Sequence, residues 1–339
     1  MLNGKNILIT GGTGTIGTVL TETILSKYSP NVIRIYSRDE SKQHYLSNRL
    51  VEFESRLRYF IGDIRDKERL NRAMKNVDIV FHLAALKHVG ACEYNPFEAI
   101  KTNVMGIQNL IEVCIENEVE RVVYTSTDKA ATPCNTMGVT KLLGEKLITA
   151  ANYYKGAAKT IFSSVRFGNV LGSRGSLIPI IEEQVKKNKT ITLTHRDMTR
   201  YIMDINTAIT LILDSLELAQ GGEIFVAKMG AIKVIDLIEV LVDNFAQKHK
   251  KAVDAIKIEE IGMFAGEKLY EELFSIEESE RTYEMENYYM IMPQIPEVKM
   301  SLNVDKYPKI KRFDGTKPFN SKEGPFLSKQ EINTFLIES

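Results

Sequence analysis

Short apolar runs and longer amphipathic stretches alternate along the first half of the chain. Residues 5–10, 32–37, 57–63, 78–84, 121–127 and 159–169 are rich in branched and aromatic side chains and read as strands. Apolar residues at helical spacing fill the intervals, most clearly over 96–117 and 136–155. Strand and helix in repeated succession predict βαβ units, and so an α/β fold with a doubly wound parallel sheet. The unbroken apolar run at residues 7–9 fits a strand covered on both faces. After Asn169 the rhythm changes. Gly172-Ser173-Arg174-Gly175 signals a loop, and short strands and helices follow. A strand near 223–228 is expected to return to the first sheet. Residues 171–300 therefore read as a smaller α/β lobe interleaved with a main domain at 1–170. In 301–339, Pro308, Gly315, Pro318 and Gly324 stand among many charges. This predicts an extended arm, closing on a short helix at 328–337, with little to pack on inside one subunit.

Composition narrows the function. The 339 residues carry 44 Lys and Arg against 44 Asp and Glu, a net charge of zero. That balance argues against nucleic acid as partner, where a basic surplus would supply most of the affinity. Apolar runs such as 7–9 and 209–213 fall far short of the roughly 20 residues a membrane span needs. The chain enters a strand almost at once, so no signal peptide is expected. Three cysteines, Cys92, Cys114 and Cys134, show no metal-ligand or paired spacing, so a reducing cytoplasm and no metal are expected. A chain of this length buries roughly three quarters of its unfolded surface and needs no disulfide to hold its core.

Candidate chemistry begins after the first strand, at Thr10-Gly11-Gly12-Thr13-Gly14-Thr15-Ile16-Gly17. Glycines there permit a tight turn and let backbone N–H groups reach a pyrophosphate at a helix N-terminus, the Rossmann-type arrangement. The second strand ends in Ser37-Arg38-Asp39-Glu40. Arg38, with Ser37 and Lys42, favours the 2′-phosphate of NADP, whereas Asp39 keeps NAD open. Asp63 is expected to meet the adenine amino group and Ile64 its ring, although Asp63 could instead cap a helix. Leu83, Ala84, Ala85 and Lys87 after the fourth strand, with Asn103, complete the expected cofactor contacts.

Thr127-Asp128-Lys129 ends the fifth strand, at the sheet edge where ligands bind in such folds, and Lys141 follows in the next helix. Together with the glycine loop this resembles the extended short-chain dehydrogenase/reductase family. Its usual Tyr-x-x-x-Lys signature reads Met137-Gly138-Val139-Thr140-Lys141 here. His82-Leu83-Ala84-Ala85-Leu86-Lys87-His88-Val89, Thr127-Asp128-Lys129-Ala130, the run from Arg166 to Ser176, Met198-Thr199-Arg200, Gly222 to Val226 and Gly266-Glu267-Lys268 are similar to the inverting UDP-N-acetylglucosamine 4,6-dehydratases. The Met variant looks like the branch that serves capsule and O-antigen synthesis. The resemblance implies a tightly bound NADP, regenerated each turnover, and a hexamer.

The implied reaction moves hydride from C4 of the sugar to the nicotinamide, eliminates water across C5–C6, then returns hydride to C6 with inversion at C5. Lys129 is expected as the base at C5, neutral through burial and the nearby charge of Lys141, and Asp128 as the acid at the C6 hydroxyl. Met137 cannot carry a proton and reads as an apolar wall. Thr127 is the expected contact to O4, relaying its proton to Lys141 or Lys129. Lys141 also bonds the nicotinamide ribose. Lys87, His88, Lys129, Asn169, Arg174, Arg200 and Glu267 are expected to bind UDP-N-acetylglucosamine. Two other readings stay open: a UDP-N-acetylhexosamine 4-epimerase, which needs no elimination pair, and an NADP-binding sensor without turnover.

Overall fold

Ile7, Leu8 and Ile9 have no exposed surface at all, because helices cover the strand they form from both sides. This strand, β1 (Asn6–Thr10), lies third from one edge of a ten-stranded sheet. Five more parallel strands follow in the chain: β2 (Val32–Ser37), β3 (Leu57–Ile61), β4 (Ile79–His82), β5 (Arg121–Thr125) and β6 (Ile161–Arg166). Their order across the sheet is β3-β2-β1-β4-β5-β6, with Ile7 opposite both Ile33 and Ile79. The strand order reverses between β1 and β4, and a doubly wound sheet opens its binding crevice at such a point. The computed structural model describes residues 1–173, 175–315 and 319–338.

The strand Ile224–Ala227 pairs in parallel with β6, so the chain does return to the first sheet after forming part of the second lobe. Tyr288–Ile291, Thr282–Glu284 and Lys311–Arg312 then extend the same edge in antiparallel sense. The smaller lobe holds a three-stranded sheet of Asn169–Val170, Thr199–Met203 and Gly230–Lys233, and a two-stranded pair of Ile191–Leu193 and Ile258–Glu260. Helices Leu177–Lys186 and Val234–Lys248 pack over them around Ile181, Leu237 and Leu241.

Several strands end earlier than the apolar pattern predicts. Residues 62–63, 83–84 and 126–127 are loop, because the chain leaves the sheet there to line a cavity. The predicted strand at 159–169 divides in two, and Asn169–Val170 pairs with the smaller sheet. The helix predicted over 96–117 runs from Pro96 to Glu116 but loosens into a π turn at Lys101–Met105.

The arm is a larger correction. It packs on its own subunit at several anchors along its described residues. Tyr307 is 2% exposed and donates a hydrogen bond to Glu223. Lys311–Arg312 adds a strand to the main sheet. Phe313 meets Phe274 edge-on at 5.0 Å, and Ile332, in the terminal helix, is fully buried against the smaller lobe. The aromatic and aliphatic anchors are spaced too widely to form a periodic pattern, which is why the segment reads as solvent-facing. Among the described residues no helix is long and apolar enough to cross a membrane.

Between the lobes lies one fully buried guanidinium, that of Arg166 at the end of β6. It makes paired hydrogen bonds to Glu145 (3.0 and 2.6 Å) and Glu278 (2.8 and 3.1 Å), and one to the Leu273 carbonyl at 3.0 Å. Burial alone would lower its pKa, but the two carboxylates outweigh that and hold it above the ordinary arginine value. Arg166→Ala leaves two buried carboxylates without their cation and is expected to cost about 3–5 kcal/mol of stability, read from urea denaturation. A loss below about 1 kcal/mol, the scale of an exposed pair, contradicts that assignment.

Candidate active site

The C-terminal ends of the parallel strands open into a cavity of about 1070 Å³. Gly11 starts its floor. With φ at 69°, its hydrogen faces Ala84, where a Cβ would lie 2.8 Å from the backbone nitrogen, so the loops after β1 and β4 touch. Thr10 is buried beneath them. Its Oγ1 shares a hydrogen bond with His82 Nδ1 at 2.7 Å and accepts one from Ala84 N at 3.4 Å. It therefore ties the loops together and does not line the cavity as expected. Thr13, Gly14, Thr15, Ile16 and Gly17 do line it. The helix Thr15–Lys27 begins there with no side chain capping its first turn, which leaves its N-terminus suited to a pyrophosphate.

Ser37, Arg38 and Lys42 line the cavity beyond β2. Asp39 caps the helix Glu40–Arg49 by accepting from Lys42 N (3.0 Å), and its carboxylate pairs with Lys42 Nζ at 2.7 Å. Half-exposed Arg38 stands 3.7 Å from Asp63. Asp63 is not a helix cap: Asp66 caps Lys67–Met74. Instead Asp63 accepts from the backbone and guanidinium of Arg65. Partial burial would raise its pKa, but these bonds lower it on balance. Ile64 lines the cavity next to Asp63.

Leu83, Ala84, Ala85, Lys87 and His88 form the wall after β4. Asn103 does not join them. It sits buried in the π turn, accepts from Leu86 N (2.8 Å), and donates to Leu86 O (2.9 Å) and Thr140 Oγ1 (3.0 Å). It thus holds the β4 loop against the helix Thr136–Tyr154. Single-turn π irregularities often sit at functional sites.

The opposite wall carries the reactive groups. Thr127, Lys129, Met137 and Lys141 all line the cavity. Met137 and Lys141 stand one helical turn apart, hence on one face. Met137 is 3% exposed and packs with Cys92, Ala99, Leu86 and Val89. Asp128 is fully buried behind Lys129 and has no cavity surface. Its Oδ1 accepts from Thr127 Oγ1 at 2.9 Å and from Lys129 Nζ at 3.0 Å. Gly168 closes over Oδ2, where a Cβ would sit 2.8 Å away.

The two lysines differ from the expectation. Burial works to lower the pKa of Lys129, but Asp128 and Glu271 hold it above the ordinary lysine value. Lys129 therefore rests as an ammonium, and Lys141 is not the neighbour that sets its charge. Lys141 itself is lowered to about 8 by burial, against the pull of Glu145. Its Nζ donates to Thr125 O at 2.6 Å and lies 4.6 Å from the centre of the Tyr124 ring.

At the far end Asn169, Arg200 and Glu267 line the cavity, while Arg174 lies outside the described residues. Asn169 Nδ2 donates to Tyr201 O at 3.1 Å, and Glu267 accepts from Phe264 N at 2.9 Å. Sequence reasoning missed Glu271, 2% exposed, and Ser126, whose buried Oγ lines the cavity without a hydrogen-bond partner. It also missed His82, which burial and Lys141 keep neutral, with its pKa near 3. Ser126 and His82 stood inside motifs already singled out, whereas Glu271 had no signal beyond its nearness to Glu267. Among the described residues no three His, Cys, Asp or Glu side chains gather as a metal site.

Residues 7–293 match the family described as polysaccharide biosynthesis protein. An uncharacterized membrane protein of Methanocaldococcus jannaschii is 49% identical over 98% of this chain and 96% of its own length. A UDP-N-acetylglucosamine 4,6-dehydratase (inverting) of Campylobacter jejuni is 46% identical over 87% and 85%. A UDP-glucose 4-epimerase of Rickettsia bellii is 40% identical over 91% and 87%. Among solved structures, Pen from Bacillus thuringiensis superposes with a TM-score of 0.92 at 41% identity, covering 100% of this chain and 98% of that one. With its Rossmann-type sheet and its glycine loop at the switch point, the chain belongs to this polysaccharide biosynthesis protein family.

Proposed function

We propose that the chain is an NADP-dependent, configuration-inverting 4,6-dehydratase of UDP-N-acetylglucosamine. Its product would be UDP-2-acetamido-2,6-dideoxy-β-L-arabino-hexos-4-ulose, a precursor for capsule, O-antigen or related surface glycans. The observation that carries this reading is Lys129 on the wall of the same cavity that the glycine loop opens, with the buried Asp128 carboxylate directly behind it at 3.0 Å. A 4-epimerase has no elimination step for such a pair to serve. The Campylobacter relative supports the same reading.

The residues fit the cofactor. Thr13 to Gly17 would hold the pyrophosphate on an uncapped helix N-terminus, Arg38, Ser37 and Lys42 a 2′-phosphate, and Asp63 and Ile64 the adenine. Asp39 is already spent on its helix cap and on Lys42, which favours the phosphate over a bare ribose. Bound there, a nicotinamide supplies hydride exchange with the sugar carbon. Lys141, its pKa lowered to about 8, takes the O4 proton by way of Thr127, since Met137 offers only an apolar face. Lys129 removes the proton at C5, and Asp128, buried behind it, takes a proton from Lys129 Nζ at 3.0 Å and passes it through Thr127 Oγ1 to the departing C6 hydroxyl. Arg200 and Asn169 would hold the diphosphate, and Glu267 the uridine ribose. The Rickettsia relative favours a second reading, a UDP-sugar 4-epimerase.

Proton NMR of the purified protein with UDP-N-acetylglucosamine in D2O separates the two. A C6 methyl signal with deuterium at C5 is the expected result. The C4 epimer would establish the epimerase, and an unchanged spectrum would leave a protein without turnover. If neutral Lys141 accepts the O4 proton, kcat/KM rises with pH through about 8. Lys141→Met should remove that rise, and a profile identical to the unsubstituted protein's would exclude the role. Arg38→Ala is expected to weaken NADP binding by roughly 10- to 100-fold, the loss of one hydrogen bond to a charged group, and NAD binding by less than about threefold. Equal losses for both, measured by titration calorimetry, would remove the case for NADP.

A further inference from the structure

Glu271 is 2% exposed, belongs to no motif, and spans two cations of the cavity. Its Oε1 lies 3.3 Å from Lys129 Nζ and 3.7 Å from Arg200 Nε, and its buried Oε2 has no hydrogen-bond partner. The backbone holds it rigidly. Glu271 N donates to Ser321 Oγ at 2.9 Å, and Glu271 O accepts from Ser321 N at 2.8 Å. Ser321 Oγ in turn bonds Thr199 Oγ1 at 2.9 Å. Ser321 of the C-terminal arm, itself tied to the strand Thr199–Met203, thus fixes the backbone that carries this carboxylate beside Lys129. A buried ion pair of this kind is a poor source of stability, because desolvating both charges offsets their attraction. It is a good place to keep a proton.

On the dehydratase reading Lys129 must be neutral when it attacks C5, yet it rests as an ammonium. We propose that Glu271 is a positioning residue that takes this proton: it passes from Lys129 Nζ to Glu271 Oε1, leaving a neutral amine towards the substrate and a neutral carboxylic acid behind it. No charge leaves the buried site, and Nζ keeps the electron pair it needs. The surroundings suit the exchange. Burial pushes the Glu271 carboxyl above the ordinary range; Lys129 opposes this, Asp128 adds to it, and Arg200 and Lys268 oppose it. Lys129 faces Asp128 on its own turn, Glu271 behind it and Arg200 from the smaller lobe. Tyr201 nearby stays a phenol, its pKa raised by burial first, then by Tyr289 and Asp128.

Glu271→Gln keeps the volume and removes the acceptor. Two readouts test it. In the free protein, the pH midpoint for acetylation of Lys129 by acetic anhydride, followed by peptide mass spectrometry, should fall by about one unit or more. With UDP-N-acetylglucosamine, kcat at pH 7 should fall about tenfold or more and recover as pH rises, because Lys129 then loses its proton to solvent. KM should hold. Glu271→Asp retains the acceptor and should restore most of the neutral-pH rate. Unchanged kcat in E271Q, a loss that no pH restores, or failure of both variants to fold would each overturn the proposal. If the unsubstituted protein makes no 6-deoxy-4-keto product while the acetylation midpoint still moves, the dehydratase reading fails and the Lys129–Glu271 coupling stands.

Discussion

The buried guanidinium of Arg166 is the joint on which the site depends. It stands at the end of β6, where the chain leaves the main sheet for the smaller lobe. Its two carboxylate partners come from the helix Thr136–Tyr154 and from the capping box at Ser275–Glu278. Glu145 is one turn from Lys141 and two turns from Met137, so the ion fixes the helix that carries both. Through the Leu273 carbonyl it also fixes the segment that holds Glu271. Three pieces of chain with no sequence proximity thereby meet at one charge. An apolar residue could fill the space, but it would leave the relative placement of the pieces to shape alone.

Burial acts on both active-site lysines, and their neighbours separate them. Lys141 has backbone oxygen and an aromatic face around its nitrogen and a single carboxylate at a distance, so burial prevails and its pKa falls towards neutrality. Lys129 has two carboxylates within 3.3 Å and keeps its proton. One cavity thus holds one lysine that becomes neutral above about pH 8 and one that its carboxylates keep charged. That division maps onto the proposed sequence, in which oxidation at C4 precedes abstraction at C5.

The main sheet was legible because its order follows from local signals: buried strands, turn glycines and helical periodicity repeat until the smaller lobe begins. Most of the cavity wall was legible too, since it is built from the loops directly after β1, β2, β4 and β5. What sequence could not give was partnership across the fold. Thr10 and Asn103 carry the right chemistry for ligand contact, yet His82 and the Leu86 backbone claim them. Asp63 has the spacing of a cap, but Asp66 takes that place. The arm hides its anchors, Tyr307, Phe313 and Ser321, among charges, so composition alone marks it as solvated.

The arm bears on how Met137 is tolerated. In a site with a tyrosine at that helical position, one phenol can serve the O4 proton while the lysine one turn away remains charged. On the proposed dehydratase reading, a thioether there sends the proton to a nitrogen, and a nitrogen accepts it only if it is neutral beforehand. Burial alone brings Lys141 to that condition above about pH 8. It does not bring Lys129 there, and the second carboxylate of Lys129 is delivered by a residue whose backbone is held by Ser321 of the arm, which in turn bonds Thr199 of the strand Thr199–Met203. The acid–base inventory therefore spreads beyond the fifth-strand motif into the smaller lobe and the arm. Closing the arm on its own subunit is, on this argument, part of assembling the site, because without Ser321 the Glu271 carboxylate has no fixed position behind Lys129.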